Sequence, residues 1–371
     1  MKVVVVGGGV IGCATAYELA KAGCAVVLLE RATPGAEASG AAAGMLAPLG
    51  ESSAAGFREL AVASWRLYPA VVHELRERTG IDVEYVTRGT IYALATVHDV
   101  REAQSRAQWA LGREFGIEAW DSGEVHAREP ALSAKVSGAM FVRGDHWVNN
   151  QRLVVAYAQA AVAAGVALIT GCGVSRLIVE DGHARAVVVA DGERLDADVI
   201  VLAAGAWTAP LVASFGERLP VEPRRGQMIA LAHVPPVLTH CVHGDEVYLV
   251  PRPSGELLVG ATVERVGFQG AVTALGIAGL LSAAIELVPV LGGLPINRTW
   301  YGFRPWAPDN LPILGPWPGL EGLWIATAHF RNGILLAPIT AKVMTEWILT
   351  GRPSLSLEDF LPDRFIMRRE P

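Results

Sequence analysis

Gly7, Gly9 and Gly12 stand at G-x-G-x-x-G spacing directly after the apolar run Val3, Val4, Val5 and Val6. A small-residue helical pattern follows, then a turn at Gly23, a second apolar run and Glu30. Each part of this series answers a physical demand of dinucleotide binding. One glycine makes the tight turn, another lets the backbone approach a pyrophosphate, and the third lets helix and strand pack closely. The helix N-terminus offers its unpaired N–H groups to the phosphates. Glu30 sits where a carboxylate would accept from a free ribose hydroxyl, which favours FAD or NAD over NADP. The plainer alternative is a glycine-rich strand–helix turn with no ligand.

A second chemical group lies near the other end of the chain, where His329-Phe330-Arg331-Asn332-Gly333 leads into Ile334 and Leu335. If this segment opens a helix, its N-terminal N–H groups could face a cofactor that accumulates negative charge on reduction. A planar two-pronged guanidinium such as that of Arg304 matches a carboxylate better than a lysine does. Read without context, Arg304 would be a structural ion pair and Tyr248 an ordinary strand aromatic. The chain has four lysines (Lys2, Lys21, Lys135, Lys342), and none falls between Arg224 and Arg331. Lysine-assisted reaction with dioxygen is therefore not expected, and Arg331 or His329 is expected to supply the positive field instead. No general base is assigned.

Composition narrows the class. The chain has 371 residues, formal net charge −6 and 51% hydrophobic residues. With a mean hydropathy of +0.34 and no basic run, nucleic acid is not an expected partner. Cys13, Cys24, Cys172 and Cys241 are scattered without a C-x-x-C pair. No metal site or disulfide framework is expected, and a reducing, cytoplasmic setting fits. The N-terminal apolar run is read as a strand rather than a signal peptide, since three glycines interrupt it. Residues 271–294 are almost wholly apolar but contain Gly276, Gly279 and Pro289. A buried or interface helix over about 275–288 is expected there, not a membrane span, and it makes self-association plausible.

Periodicity predicts an opening βαβ unit, a loop of small residues over 38–45, helices near 57–75, 100–115 and 151–164, and a terminal helix over 339–349. Strands are expected around 83–95, 166–170, 174–179, 184–189 and 196–202, and from 228 to 262. Cofactor-type motifs at the start, middle and end of the chain require discontinuous domains.

Several of these blocks together resemble the D-amino-acid oxidase family of flavoproteins, most closely its glycine oxidase branch associated with thiamine biosynthesis. They are the N-terminal glycine block, Ala42-Ala43-Gly44-Met45-Leu46, Tyr248-Leu249-Val250-Pro251-Arg252, Gly302-Phe303-Arg304-Pro305, and His329 to Leu335. The resemblance implies an α/β chain with a Rossmann-like FAD domain (1–82, 140–217 and 303–371). Interleaved with it would be a mixed-sheet substrate domain (83–139 and 218–302). FAD would be held noncovalently by Val10, Ile11, Glu30, Arg31, Ala38, Ser39, Ala43, Gly44, Met45 and Val174, with His329, Phe330, Arg331, Asn332, Gly333, Ile334 and Leu335 around its isoalloxazine end. Arg304 and Tyr248 would hold the substrate carboxylate, with Arg331 beside substrate and flavin. Glu246 and Val263 stand where the glycine oxidases carry a histidine and a methionine. The implied activity is oxidation of a small amino acid to an imine, with dioxygen reduced to hydrogen peroxide. Two alternatives stay open: a D-amino-acid dehydrogenase passing electrons to a quinone, with 271–294 touching the membrane, and a non-catalytic dinucleotide-binding module.

Overall fold

The computed structural model describes residues 1–50 and 55–365 and shows a mixed α/β chain built around two large sheets. The first has six strands in the order Ile313–Pro316, Leu323–Thr327, Val199–Leu202, Lys2–Val6, Ala25–Leu29 and Ala167–Ile169. Its five strands from Leu323–Thr327 to Ala167–Ile169 run parallel, and Ile313–Pro316 is antiparallel at the edge. A parallel strand covered on both faces reads as a continuous apolar run. Accordingly Val3 and Val5 join a core with the helices Val10–Lys21, Asn150–Ala163 and Gly333–Thr350. Val4 and Val6 face the opposite way, against Leu177 and Val187 of a three-stranded sheet over 174–196. The N-terminal apolar run is thus a central strand.

The second sheet has eight strands and orders Ile296–Trp306, Glu222–Ala232, Glu256–Gly260, Tyr248–Pro251, Cys241–His243, Thr90–Leu94, Gly138–Val142 and Ile117–Asp121. Both Gly138–Val142 and Ile296–Trp306 lie whole in this sheet, although the expected divisions at 139/140 and 302/303 cut through them. Residues 51–54 of the first expected segment, and 366–371 of the last, lie outside the described residues. One face of the sheet packs Ile229, Leu249 and Val259 against Leu280 and Ala284 of the helix Ala274–Leu287. That apolar helix is 14 residues long and lies on the sheet, while Leu275 at its outer end is 85% exposed. Among the described helices only Gly333–Thr350 is long and apolar enough to cross a bilayer, and 61% of it is buried inside the fold.

Three local readings are corrected. The small-residue loop contains a short helix, Ala38–Ala41. The helix expected over 100–115 is two, Val97–Ala107 and Ala110–Glu114; the first begins at a capping box in which Thr96 and Asp99 bond each other's backbone N–H. The terminal helix starts at Gly333, six residues before the expected position. Pro338 lies inside the helix, where proline removes the bond to the carbonyl four residues earlier. That carbonyl, on Ile334, accepts instead from the buried Tyr68 hydroxyl, and the Leu335 carbonyl accepts from Ser64 Oγ at 2.6 Å. Partners from a distant helix, Ala55–Thr79, make the early start affordable.

Candidate active site

The two sheets meet around a large cavity of about 740 Å³. Its floor is one row of the eight-stranded sheet. Directly paired residues share a face, and the register aligns Met228, Gly260, Tyr248, His243, Tyr92 and Met140 across five adjacent pairings. All six line the cavity. Two residues along, Gly226 pairs with Gly302, and Arg224 pairs with Arg304. The Arg304 guanidinium lies across the backbone of Gly226, where a Cβ would come within 2.1 Å of Nη1. Its Nη1 also donates to the Thr262 carbonyl at 3.0 Å, and the Tyr248 hydroxyl lies beside it within hydrogen-bond reach. Burial raises the Tyr248 hydroxyl above its ordinary value, while the charges of Arg304 and Arg331 oppose the rise, so the phenol stays protonated. Two cations and a neutral phenol thus converge at one end of the cavity, with Glu246 and Val263 on its wall.

The other end is built from helix N-termini. Gly7 is at φ +108°, and a Cβ there would meet the Ala203 carbonyl oxygen at 2.6 Å; at Gly12 it would meet the Gly7 oxygen at 1.8 Å. Protein packing alone demands those two glycines. Gly9 differs, since a Cβ would meet only Ser39 Oγ, at 3.2 Å. Its open side faces the cavity. The helix it starts, Val10–Lys21, has no side-chain cap at Gly9, and Ser39 Oγ accepts only the Val10 N–H, at 3.0 Å. Glu30, 9% exposed, lines the cavity and accepts the N–H of Gly8 at 2.7 Å and of Ala32 at 2.8 Å, one on each oxygen, which leaves each oxygen further acceptor capacity. Arg31 lies over the Trp207 ring at 3.7 Å and pairs with Glu37 at the rim.

The segment before Gly333–Thr350 closes the opposite wall. Ala328 (φ 59°) and Phe330 (φ 49°) are non-glycine residues in the left-handed region, a conformation that surrounding structure must impose. Phe330 N–H is tied to the Pro305 carbonyl at 2.9 Å, one residue beyond Arg304. Asn332 makes no side-chain cap, so the first N–H groups of this second helix also open toward the cavity. His329 donates no charge here. It is 4% exposed, burial holds its pKa down to about 3, and its Nε2 is 3.1 Å from the Thr340 hydroxyl. The expectation that His329 could supply a positive field is overturned; a buried imidazole stays neutral. The Arg331 guanidinium lies 5.1 Å from the Phe330 ring centroid; its charge adds to the burial that lowers the His243 pKa and opposes the rise at Tyr248.

The cavity lining therefore brings together Gly7, Gly9, Val10, Ile11, Glu30, Arg31, Ala38, Ser39, Ala43, Gly44, Met45, Val174, Tyr248, Arg304, His329, Phe330, Arg331, Asn332, Gly333 and Ile334. Gly12 and Leu335 sit behind it as packing residues. Sequence reasoning missed Gly226, Met228, Thr262, Tyr92, His243 and Asp145. Glycines inside strands at Gly226 and Gly260 were the available signal, since such glycines mark close approach of another group. Asp145 carried none. It is 1% exposed and accepts from the Tyr92 hydroxyl at 2.7 Å, and burial pushes its pKa up to about 7.

The open cradle at Gly9, the free carboxylate lone pairs of Glu30 and two uncapped helix ends fit a dinucleotide with a ring that gains negative charge. A family profile described as FAD-dependent oxidoreductase (DAO) matches residues 2–347. The glycine oxidase of Pseudomonas putida is 35% identical, over 98% of both chains. The bifunctional ThiO/ThiG protein of Trichormus variabilis is 38% identical over 98% of this chain and 55% of its own length. The crystal structure of glycine oxidase from Geobacillus kaustophilus superposes with a TM-score of 0.93 at 35% identity, covering 98% of this chain and 99% of that one. With a full-length match in sequence and in fold, the chain belongs to the DAO family of FAD-dependent oxidoreductases.

Proposed function

We propose that this protein oxidises glycine or another small amino acid at its Cα–N bond, giving an imine and reducing dioxygen to hydrogen peroxide. The imine hydrolyses to a 2-oxo acid and ammonia, or is passed on toward the thiazole of thiamine, in a cytoplasmic setting. The observation that carries the reading is the guanidinium of Arg304, held against Gly226 and beside the Tyr248 hydroxyl, in the cavity that the two uncapped helix ends share.

Bound FAD would supply the two-electron acceptor for the Cα–H bond. The rest of the task falls to the chain. Gly7, Gly9, Val10, Ile11, Ser39 and Glu30 would bind the pyrophosphate and ribose, with Arg31, Ala38 and Val174 around them. Ala43, Gly44, Met45 and residues 329–334 would enclose the ring. Arg304 takes the substrate carboxylate on its two-pronged face. Tyr248, kept protonated, donates a further hydrogen bond and walls off the pocket. That grip would fix Cα in one position, and the neighbouring charges of Arg304 and Arg331 would favour the neutral form of the amine. Arg331 would lend positive field to dioxygen reduction, a role His329 cannot share.

The test is a peroxide-coupled assay of the purified, yellow holoenzyme with glycine, sarcosine and both enantiomers of alanine and proline. Turnover with at least one of these in detergent-free buffer is expected. Peroxide from none of them, or turnover only when a quinone is added, would remove the reading.

A further inference from the structure

Arg252 is a buried cation without an ion-pair partner among the described residues, with Glu84 and Glu256 acting on it only at longer range. It follows the strand Tyr248–Pro251, is 8% exposed, and has no carboxylate within ion-pair distance among the described residues. Burial pulls its pKa down to about 10, so it remains charged at neutral pH. All of its side-chain bonds go to neutral oxygens on other segments. Nη1 donates to the Val148 carbonyl at 2.7 Å, and Nη2 donates to the Ala43 carbonyl at 2.7 Å and to Asn150 Oδ1 at 3.1 Å. Asn150, itself 3% exposed, carries the link further: its Nδ2 donates to the carbonyls of Ser39 at 2.8 Å and Gly40 at 3.0 Å.

These bonds reach the loop over 39–45 at three points. Ser39, Ala43, Gly44 and Met45 line the cavity, and Ser39 Oγ accepts the Val10 N–H at the Gly9 cradle. Gly44 is at φ +76°, with the Val148 oxygen 2.0 Å from where a Cβ would be, so the loop is pressed onto that segment without slack. At the other end of the network, Arg252 lies four residues along from Tyr248. Desolvating an unpaired guanidinium is costly, and an apolar side chain of similar size would fill the space without that cost. A fork that serves carbonyls on separate segments is what such a side chain cannot provide.

We propose that Arg252, with Asn150, is a positioning residue that fixes the loop over 39–45 relative to the strand carrying Tyr248, and so couples cofactor affinity to carboxylate affinity. The inference rests on the placement of FAD argued above. Both are tested with holoenzyme variants Arg252→Lys, Asn150→Ala, their double variant, and Gly9→Ala as a reporter of cofactor placement. The FAD dissociation constant is read from free-flavin fluorescence on serial dilution. The acetate dissociation constant is read from the perturbed visible flavin spectrum.

Arg252→Lys and Asn150→Ala should each weaken FAD about tenfold and acetate several-fold, although neither residue lines the cavity. Lysine should not rescue, because it keeps the charge and loses the fork. The double variant should lose little more than the worse single variant, as members of one network do. The proposal is overturned if both single variants keep FAD and acetate affinities within twofold while Gly9→Ala weakens FAD. Full rescue by lysine overturns it too. If Gly9→Ala also leaves FAD affinity unchanged, the cofactor placement itself fails and takes this inference with it. Should Arg252→Lys not fold, Asn150→Ala carries the same test.

Discussion

Gly226→Ala perturbs the proposed carboxylate grip without removing any group that makes it. The new Cβ would sit 2.1 Å from Arg304 Nη1, 2.5 Å from Cζ and 2.6 Å from Nη2. Ordinary van der Waals contact begins at 3.4 Å, so the guanidinium must retreat by about 1.3 Å. The backbone has no reason to follow, because Gly226 lies in a regular strand outside the left-handed region. The obstacle is the far end of a flexible side chain, so the expected cost to folding is below about 1 kcal/mol. The cost to function is larger. A misplacement of roughly 1 Å at a substrate-positioning group can lower the rate about 10²-fold, and losing one charge-assisted prong is worth about 1.5–3 kcal/mol. Steady-state peroxide assays with glycine should therefore show kcat/KM down about 100-fold, with most of the loss in KM. The FAD dissociation constant and the melting temperature should stay close to those of the parent. Wild-type kcat/KM in Gly226→Ala would refute the placement of the substrate carboxylate on Arg304.

Arg331→Met should slow reoxidation of the reduced enzyme by dioxygen in stopped flow by about tenfold or more, since His329 is neutral and no lysine is near; an unchanged rate removes Arg331 from that role. Arg304→Lys should fail to restore activity, because a point charge does not reproduce a two-pronged match to a carboxylate, and a kcat/KM within a few-fold of the parent would contradict this. Asp145 has its folded-state pKa raised from 3.8 to about 7 by burial, so its contribution to stability is present at low pH and lost as pH rises through about 7. Asp145→Asn should accordingly raise the melting temperature at pH 8 more than at pH 5, and an equal shift at both would disprove the assignment. His146 and His329 run the other way. Burial lowers them from 6.5 to about 4 and about 3, so their contribution is present above pH 6.5 and lost as pH falls. Melts of the holoenzyme should show falling stability from pH 6.5 toward pH 4, less steeply in His329→Gln.

Much of the cofactor end was legible because its information is local. A buried strand, a turn that only glycine tolerates, a small-residue helix and a terminal acid lie within thirty residues of one another. Short-range sterics and helix geometry dictate their arrangement. The segment from His329 to Gly333 was legible as a helix start, which the structure places on the cavity wall, though the expected boundary at 339 fell six residues late. Local propensity cannot register that Tyr68 and Ser64, some 270 positions away, accept the consequences of Pro338.

The substrate end was legible only as residue types. An arginine and a tyrosine 56 positions apart become neighbours through antiparallel register, Arg224 with Arg304, Met228 with Gly260, and Gly260 with Tyr248. Register is a non-local choice, made by which faces find apolar cover, and a slip of one residue would have turned every one of these side chains away. Protonation state follows the same rule. The chain specifies a histidine at 329 and an aspartate at 145, but burial decides that the first stays neutral and the second holds its proton near neutrality. Sequence alone determined the strand, glycine turn, helix and terminal acid of an FAD-dependent oxidoreductase. Tertiary structure decided which guanidinium lines the cavity and which lies behind it, because charge and reach depend on what lies across the sheet.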